Sequence, residues 1–411
     1  MSRVVIVGGG VVGLTCAYEL RRDGFEVTVL DRSEPGRGCS WGNVGWIVPS
    51  FARPLPAPGV VRAALRWMFD RAGPLYVRPR ADLALARWFW EFRRHCNERD
   101  HQAGVRALAR LAALSLAGLD RMHGEGIPFE MHGAGVLFLF LRLTTRDEVW
   151  RDLQLMTPRA GGPRALERDE VRAMEPRVHP DVVAGIFVAG ERHLRPESFM
   201  AGLLARLQAM GVEVRSGEVT GVRRRGGHAA AMVTMTGEVS GDLFLLAAGA
   251  WSGRLARSMG VHLPIQAGKG YSISIERPVW QPGHALYLEE ARVAWSPFEG
   301  SLRIGGTMEF SGLNHAPDRR RLEAIRVAAA RYLREWPAGT GEREWAGLRP
   351  LTPDGLPVLG RLPGYDNAFA ATGHGMLGMT LASSSAVVMS QLMRNGSCEI
   401  DLTPFRPDRF G

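Results

Sequence analysis

Two segments near the C-terminal end hold the residues best suited to chemistry. Arg349 stands in the run LRPLTPDGLPVLG, and His374 stands in the later run TGHGMLGMT. An arginine held in a proline-stiffened loop predicts a carboxylate clamp, because a guanidinium makes two parallel hydrogen bonds to a carboxylate. A glycine-rich turn before an apolar helix presents free backbone N–H groups to a negatively charged group. The two segments together predict a substrate carboxylate close to an anionic cofactor.

The N-terminal segment has the pattern of a dinucleotide-binding βαβ unit. A wholly apolar run at residues 4–7 predicts a buried parallel strand, a helical pattern extends to about residue 22, and a second strand covers residues 26–30. The turn between the first strand and the helix contains Gly8, Gly10 and Gly13. These glycines permit a tight turn and close approach to a pyrophosphate. Asp31 ends the second strand, where its carboxylate suits ribose hydroxyls and disfavours a 2′-phosphate.

Two further segments favour FAD over NAD. The run CSWGNVG at residues 39–45 follows Asp31 closely, where an NAD-binding unit continues directly into its next helix. Its small polar residues suit the lining of a pyrophosphate and a flavin ring. The run LLAAGAWS at residues 245–252 follows a β-ribbon and looks like the strand-and-glycine element that such flavoproteins place near the adenosine half.

The chain between these motifs alternates between two kinds of pattern. Aromatic helical stretches at residues 59–69 and 81–96 precede a strand at residues 135–141. A doubly wound pattern resumes with strand 184–188, helix 196–210, strand 212–215, ribbon 219–239 and strand 243–247. Antiparallel strands at 271–276, 285–288 and 302–307, followed by a helix at 317–332, predict a second sheet on the substrate side.

At this point the chain resembles the D-amino-acid oxidase superfamily of FAD enzymes, and within it the bacterial D-amino-acid dehydrogenase branch. The resemblance rests on VVIVGGGVVGL, SWGNVGWIVPS, RAALRWMFDRAGPLYVR, GKGYSISI, LRIGG, GLRPLTPDGLPVLGR and TGHGMLGMTLA, in this order over nearly the whole length. It implies an α/β (α+β) fold in which a glutathione-reductase-like Rossmann FAD-binding domain is interleaved with a mixed-sheet substrate domain. The expected FAD-binding domain covers residues 1–50, 166–262 and 344–411, and the substrate domain covers 51–165 and 263–343.

The motifs and the resemblance together assign the cofactor contacts. The expected FAD-binding residues are Gly8, Gly10, Val12, Gly13, Asp31, Arg32, Ser40, Gly42, Asn43, Gly45, Val219, Ala248, Gly249, Trp251, Gly373, Gly375, Met376, Leu377, Gly378 and Met379. The C-terminal glycines let the following helix direct its positive end at the flavin pyrimidine, which stabilises the anionic reduced ring. Family oxidases of the sarcosine type attach flavin through a cysteine in the C-terminal half. Residues 373–380 contain no cysteine, so we expect non-covalent FAD.

The same resemblance assigns candidate catalytic residues. It implies that Arg349 binds the substrate carboxylate and that Tyr271 lies on the strand over the flavin, with His374 ranked below Arg349. The alternatives are a structural salt bridge for Arg349, a packed strand tyrosine for Tyr271 and a structural hydrogen bond for His374. Sarcosine-type oxidases carry an oxygen-activating lysine on a strand resembling LRIG. Arg303 stands there in this chain, which argues against a fast reaction with oxygen.

Composition narrows the class of protein. The net charge of +9 comes almost entirely from arginine, because Lys269 is the only lysine, and the arginines are scattered along the chain. This distribution predicts solvated surface faces and no nucleic-acid partner. The four cysteines lack metal-ligand spacing, so we expect no metal site and reduced thiols in the cytoplasm. The apolar N-terminal run contains functional glycines and therefore does not indicate a signal peptide.

The predicted reaction is oxidation of a D-amino acid to its imino acid by hydride transfer to flavin. The substrates considered include cyclic secondary amino acids such as D-proline or hydroxy-D-proline, and the electrons are expected to pass to a quinone or another carrier. A peroxide-forming glycine- or sarcosine-type oxidase is one alternative, and a flavoprotein acting on RNA is a distant one. The aromatic stretch at residues 59–95 packs the substrate domain or meets the inner face of the cell membrane as a peripheral contact.

Overall fold

The computed structural model describes residues 1–69, 73–156 and 162–411. Its strands are β1 (Arg3–Val7), β2 (Glu26–Asp31), β3 (Trp46–Ile47), β4 (Leu75–Val77), β5 (Met131–His132), β6 (Val136–Phe140), β7 (Arg164–Glu167), β8 (Ala184–Val188), β9 (Arg192–Leu194), β10 (Glu213–Ser216), β11 (Val219–Arg225), β12 (His228–Thr234), β13 (Gly237–Ser240), β14 (Leu243–Leu246), β15 (Gln266–Glu276), β16 (Ala285–Leu288), β17 (Val293–Phe298), β18 (Ser301–Phe310), β19 (Gly341–Leu351), β20 (Val358–Arg361) and β21 (Ala368–Thr372). Its helices are α1 (Val11–Arg22), α2 (Val60–Trp67), α3 (Leu83–His95), α4 (Glu98–Ala112), α5 (Ser115–Gly124), α6 (Leu143–Met156), α7 (Arg168–Met174), α8 (Pro196–Ala209), α9 (Ser252–Ser258), α10 (Arg319–Ala329) and α11 (Gly378–Asn395).

A six-stranded sheet forms the centre of the domain that contains the N-terminal glycine-rich turn. Its strand order is β10-β2-β1-β14-β21-β20, and all neighbours except β20 and β21 run parallel. The strands are apolar on both faces because helices α1, α8 and α11 cover one face, while α9 and the ribbon β11–β13 lie on the other. The structure confirms the βαβ unit and the doubly wound arrangement.

A nine-stranded mixed sheet forms the second layer. Its path is β19-β15-β18-β17-β16-β6-β8-β7, with β4 beside β18. Strand β15 shows how the sheet divides its two faces, since side chains alternate along a strand. Tyr271 and Ile273 pack into the core beneath α10, while Gly270 and Ser272 face the first domain. The sheet therefore forms a roof over the carboxyl ends of the first sheet.

Two sequence-based placements were wrong. The strand at residues 184–188 does form, but it pairs with β6 and β7 in the roof sheet and does not continue the doubly wound sheet. Arg349 lies within strand β19 and not in a loop. Pro350 favours a loop in the sequence, yet β19 is an edge strand, where proline's missing N–H donor is tolerated. Strands β7, β8 and β19 belong to the roof sheet. The domain boundaries expected from the sequence remain a prediction.

A short connection between β2 and β3 shows why glycine is needed at one of the expected cofactor positions. Gly45 has φ +72°, and a Cβ there would lie 1.8 Å from the carbonyl oxygen of Leu194. The Leu194 N–H in turn donates to the Gly45 carbonyl at 2.8 Å. Gly45 therefore holds β3 against β9.

We expect Gly45→Ala to destabilise the protein more than Gly211→Ala. Gly211 has nearly the same backbone conformation, φ +76°, but nothing lies within 4 Å of a Cβ placed there. Alanine should cost about 1–2 kcal/mol at both positions because of its left-handed conformation. Only at Gly45 does a steric collision add about 1–3 kcal/mol. Thermal unfolding of the two variants tests this difference, and equal losses of stability would contradict it.

Candidate active site

The glycines of the first turn bring three backbone segments into contact. A Cβ at Gly8 would lie 2.3 Å from the Ala247 carbonyl oxygen, and a Cβ at Gly13 would lie 1.8 Å from the Gly8 carbonyl oxygen. Gly10 caps α1 without any side-chain hydrogen bond. The Val11 N–H donates to the Ser40 hydroxyl, which leaves the next N–H groups of α1 for a pyrophosphate.

Asp31 stands beside this turn and is tied to it. One carboxylate oxygen accepts from the Gly9 N–H at 2.7 Å, and the other accepts from the Ser33 N–H at 2.9 Å. Each oxygen keeps further acceptor capacity. The carboxylate is thus held rigidly at the end of β2, in the position that a ribose diol requires.

The part of the site where the sequence predicts the adenosine half carries stacked planar groups. The Arg32 guanidinium lies 3.7 Å from the centre of the Trp251 ring, and the His315 ring stacks on Trp251 at 5.2 Å. His315 comes from the segment after β18, so the roof reaches this end of the cavity. Val219, Ala248 and Gly249 also line this part.

The segment at residues 39–45 is clamped between the two sheets. The Ser272 hydroxyl donates to the Gly42 carbonyl at 2.7 Å, and Ser40 accepts from the Val11 N–H at 3.1 Å. Asn43 uses its side chain to shape its own turn, accepting from the Gly45 N–H at 2.6 Å. Ser40, Gly42 and Asn43 all border the cavity, so this segment forms its side wall.

Arg303 fixes this wall from behind. Its guanidinium donates to the Asn43 carbonyl at 3.1 Å, to Ser274 at 2.9 Å and to the carboxylate of Glu197 on α8. The side chain is only 3% exposed. Arg303 therefore joins the roof, the wall and the first domain through one buried group.

The C-terminal glycine turn leads directly into α11. Gly373 has φ +74° and Gly375 has φ +55°, conformations that favour glycine. The His374 ring shares a hydrogen bond of 2.9 Å with the Ser385 hydroxyl inside α11. Burial lowers the pKa of His374 to about 3, so its imidazole is neutral at ordinary pH. Helix α11 has no side-chain cap, and its free N–H groups face the cavity.

A cavity of about 2010 Å³ connects these features. A drug-sized ligand needs roughly 300–1,000 Å³, so this space accommodates a dinucleotide together with a second molecule. Most of the predicted cofactor residues line it: Gly8, Gly10, Val12, Asp31, Arg32, Ser40, Gly42, Asn43, Val219, Ala248, Gly249, Trp251, Gly375, Met376, Leu377, Gly378 and Met379. Gly13, Gly45 and Gly373 lie behind the wall and shape the backbone.

Arg349 projects from β19 into this cavity. Its side chain lies across Gly270, where a Cβ would be 2.3 Å from the guanidinium carbon. It donates to the Thr307 carbonyl at 2.7 Å, and no carboxylate of the described residues forms an ion pair with it. Burial is the main reason that the Arg349 pKa falls to about 10, and the nearby Arg321 lowers it further. A guanidinium that is withdrawn from water and has no ion-pair partner attracts an anionic group.

Tyr271 is not brought together with Arg349. The residue borders the cavity, but its side chain lies on the opposite face of β15 from Gly270. Its hydroxyl donates to the Glu309 carboxylate, which also forms an ion pair of 3.1 Å with Lys269. Burial and the Glu309 charge raise the pKa of Tyr271 well above its usual value. The strand periodicity of GKGYSISI contained this information, since Tyr271 alternates with Gly270 and Ser272.

Two residues that line the cavity were not predicted from the sequence. Trp345 shares a face of β19 with Arg349, and its ring fills the space beside Gly42 and Gly347. Thr307 has φ +60° at an irregularity between β15 and β18, a rare conformation for a β-branched residue. This kink turns the Thr307 carbonyl towards Arg349. The alternation of Trp345, Gly347 and Arg349 was visible in the sequence, whereas the kink was not.

The fold and the cavity define a dinucleotide-binding oxidoreductase with a second sheet as its roof. The family model of FAD dependent oxidoreductases (DAO) matches residues 3–392, and the chain belongs to this family. It is 34% identical to a D-amino acid dehydrogenase of Methylobacterium nodulans, over 97% of this chain and 96% of the relative. It is also 34% identical to a D-amino acid dehydrogenase of Cereibacter sphaeroides, over 99% of this chain and 95% of the relative.

Solved structures share the same fold. Glycine oxidase from Geobacillus kaustophilus matches with a TM-score of 0.78 at 21% identity, covering 99% of this chain and 98% of that chain. L-proline dehydrogenase from P. horikoshii matches with a TM-score of 0.79 at 18% identity, covering 100% of this chain and 97% of that one. These likenesses confirm the mixed α/β architecture with its Rossmann FAD-binding domain.

The residues present fit FAD, the cofactor of this family. The close contacts at Gly8 exclude any side chain from the turn, and the N–H groups of α1 after Val11 are available to a pyrophosphate. The Asp31 carboxylate can accept hydrogen bonds from the ribose hydroxyls, and the N-terminus of α11 lies at another part of the same cavity. The described residues contain no cluster of His, Cys, Asp or Glu suited to a metal ion.

We expect Asp31→Ala to weaken FAD binding by about 1.5–3 kcal/mol, because a charge-assisted hydrogen bond is lost. A suitable control is Asp242→Ala, since Asp242 accepts from the Arg3 N–H at 2.8 Å at the opposite end of the same sheet. Fluorescence titration of the apoproteins with FAD measures both affinities. An unchanged affinity in Asp31→Ala, or an equal loss in both variants, would show that Asp31 does not contact the ribose.

Proposed function

We propose that this protein is an FAD-dependent D-amino acid dehydrogenase in which Arg349 binds the substrate carboxylate. One observation carries the proposal: a half-buried guanidinium in the cavity has no carboxylate partner among the described residues. The curated relatives named D-amino acid dehydrogenase, which match nearly the full length, support this substrate class. The proposed substrates are primary D-amino acids and cyclic secondary ones such as D-proline or hydroxy-D-proline.

The chain's own residues position and protect the reactants. Arg349 fixes the carboxylate angle with two parallel hydrogen bonds, and the Thr307 carbonyl holds the guanidinium in place. Bound FAD supplies an acceptor for the hydride of the substrate Cα. Free N–H groups of α11 stabilise negative charge at that end of the cavity. Trp345 and the roof strands exclude water from this region.

No strong base is required by this arrangement. The His374 imidazole is occupied by Ser385, and the Tyr271 hydroxyl is occupied by Glu309. We therefore propose that the substrate reacts with a neutral amine and that orientation supplies most of the rate. The imine product then hydrolyses to a keto acid, or stays cyclic when the substrate is a secondary amine.

We expect Arg349→Lys to slow flavin reduction strongly even at saturating substrate, while the visible flavin spectrum stays nearly unchanged. Lysine keeps the charge but loses the planar double hydrogen bond that sets the carboxylate angle. Arg349→Met should be slower still, because the charge is also lost. Anaerobic stopped-flow reduction of the bound flavin measures the limiting rate.

Arg321→Lys provides a control for changing a buried roof arginine. Arg321 donates to the Gly73 and Met308 carbonyls and does not line the cavity. A wild-type limiting rate in Arg349→Met would mean that Arg349 is structural and that another group binds the carboxylate.

We infer that FAD is bound without a covalent link. The cavity wall contains one cysteine of the described residues, Cys39, whose sulfur accepts from the Leu348 N–H at 3.3 Å. Burial raises the Cys39 pKa, which keeps it as an unreactive thiol. Cys16, Cys96 and Cys398 lie away from the cavity.

Acid precipitation of the purified protein should therefore release the flavin into the supernatant as free FAD. Absorbance of the pellet and supernatant at the flavin band measures the distribution. A yellow pellet that resists washing would contradict non-covalent binding.

We propose that the electrons leave to a quinone or another carrier. Arg303 stands where sarcosine-type oxidases carry their oxygen-activating lysine, and its guanidinium is fully occupied behind the cavity wall. The cavity also extends to α2 and α3, where apolar side chains are exposed beside arginines. These exposed side chains are Leu65, Phe69, Leu83 and Trp90. Such a rim suits an apolar acceptor and a peripheral membrane contact. The described helices are too short or too polar to cross a bilayer.

With a D-amino acid as substrate, reduction of an artificial dye should exceed peroxide formation by a wide margin. Parallel assays with dye under nitrogen and with oxygen alone measure the two rates. Comparable rates would place the protein with the glycine- and sarcosine-type oxidases.

Vesicles of anionic phospholipid with a dissolved lipid quinone test the second part of this proposal. The wild type should sediment with the vesicles and reduce the quinone, whereas a Leu65→Asp, Leu83→Asp variant should bind them more weakly. Equal behaviour of the two proteins would contradict a membrane contact at this rim.

A further inference from the structure

The cavity is also lined by a polar cluster that the proposed reaction does not use. Its members are Arg53, Asp152, Tyr287, Glu289 and Arg292, and all five line the cavity. They come from the segment after β3, from α6 and from the β16–β17 hairpin. We call them the hairpin cluster.

Tyr287 connects the hairpin cluster to Arg349. Its ring is held by edge contacts with Trp46 and Phe51, each at 5.5 Å between ring centres, and with Phe138 at 5.8 Å. The strand registers place Tyr287 on the same face of the roof sheet as Arg349, and both residues line the cavity. A tyrosine held in place by three rings therefore shares this face with the carboxylate clamp.

Glu289 carries the unused hydrogen-bonding capacity of the cluster. Its side chain is 1% exposed, and one oxygen accepts from Arg292 and, at 3.5 Å, from Arg53. The other oxygen has no hydrogen-bond partner among the described residues. A buried carboxylate oxygen without a donor is unfavourable, so it favours a ligand that supplies one.

The backbone at Arg292 points to the same conclusion. Arg292 has φ +56° at the end of the tight β16–β17 turn, a position that normally selects glycine or asparagine. Its guanidinium returns across the turn to Glu289. Strained backbone retained next to a cavity indicates that the side chain itself is required there.

The charges of the cluster define the ligand. Arg53 and Arg292 balance Asp152 and Glu289, so the cluster is neutral as a whole. A cationic side chain would add charge beside two arginines, and an anionic one would meet the free oxygen of Glu289. A hydroxyl donates to Glu289 and accepts from Tyr287 or an arginine without changing the balance.

We propose that the hairpin cluster binds the substrate side chain and selects a neutral side chain bearing a hydroxyl group. This proposal rests on the proposed function, because Arg349 must hold the carboxylate for the side chain to point towards Tyr287. The glycines of β15 and the kink at Thr307 set the position of Arg349, and thus the distance from the carboxylate to this subsite.

The test compares substrates with and without a hydroxyl group in the holoenzyme. D-Serine and D-2-aminobutyrate differ by a hydroxyl in place of a methyl group, and 4-hydroxy-D-proline and D-proline form the cyclic pair. We expect kcat/KM in the dye assay to favour the hydroxylated member by about tenfold or more. The ratio should fall to about one-third or less in Tyr287→Phe and in Glu289→Gln, mainly through KM.

Tyr332→Phe is the matched control, because Tyr332 donates to Glu290 at 2.7 Å and does not line the cavity. Its ratio should equal that of the wild type. Oxidation of both pairs without preference for the hydroxyl would overturn the subsite while leaving the proposed function intact. Failure of every D-amino acid to reduce the flavin would instead remove the proposed function and the subsite with it.

Discussion

The partial burial of Arg349, without an anionic partner among the described residues, is the constraint on which the architecture of the cavity depends. Taking a charge out of water costs several kcal/mol unless another group compensates it. Among the described residues, Arg349 donates to the Thr307 carbonyl at 2.7 Å and to the Met308 sulfur at 3.6 Å. The absence of a side chain at Gly270 gives the guanidinium a flat surface to lie on. Both features keep it extended and leave its other donors for a ligand.

The two sheets must keep a fixed separation for this geometry to work. Arg303 supplies a direct tie, since its guanidinium contacts both Glu197 on α8 and the carbonyl of Asn43. Ser272 adds a hydrogen bond from the roof to Gly42. These contacts are buried and cross from one sheet to the other. The cavity therefore behaves as one rigid enclosure whose wall and roof are built from different domains.

Much of the architecture was predictable from the sequence because its signals are local. The glycine spacing around Gly8 and the acid at the end of β2 determined the first domain without long-range information. The strands of the roof were visible as apolar runs, but their partners were not. Residues 184–188 were correctly identified as a strand and assigned to the wrong sheet, because pairing depends on contacts between distant segments.

The candidate site shows the same division. The family model supports the cofactor and the class of reaction, while the individual contacts remain proposals. Pro350 led to the prediction of a loop around Arg349, because the edge position of β19 cannot be recognised from the sequence. The hairpin cluster was also not predicted from the sequence, since Arg53, Asp152 and Glu289 are far apart in the chain. A glycine-rich motif indicates the local backbone conformation directly, whereas the residues of a polar cluster come together only when the chain folds.

The position of the clamp on an edge strand limits how this protein can vary. Trp345, Gly347 and Arg349 share one face of β19 because side chains alternate. Insertion or deletion of a single residue between Trp345 and Arg349 would exchange the two faces and turn the guanidinium towards the helix side. Length changes are tolerated in surface loops, but not here. Substitutions in the β16–β17 hairpin leave this alternation unchanged, whereas a change of length within β19 moves the guanidinium out of the cavity.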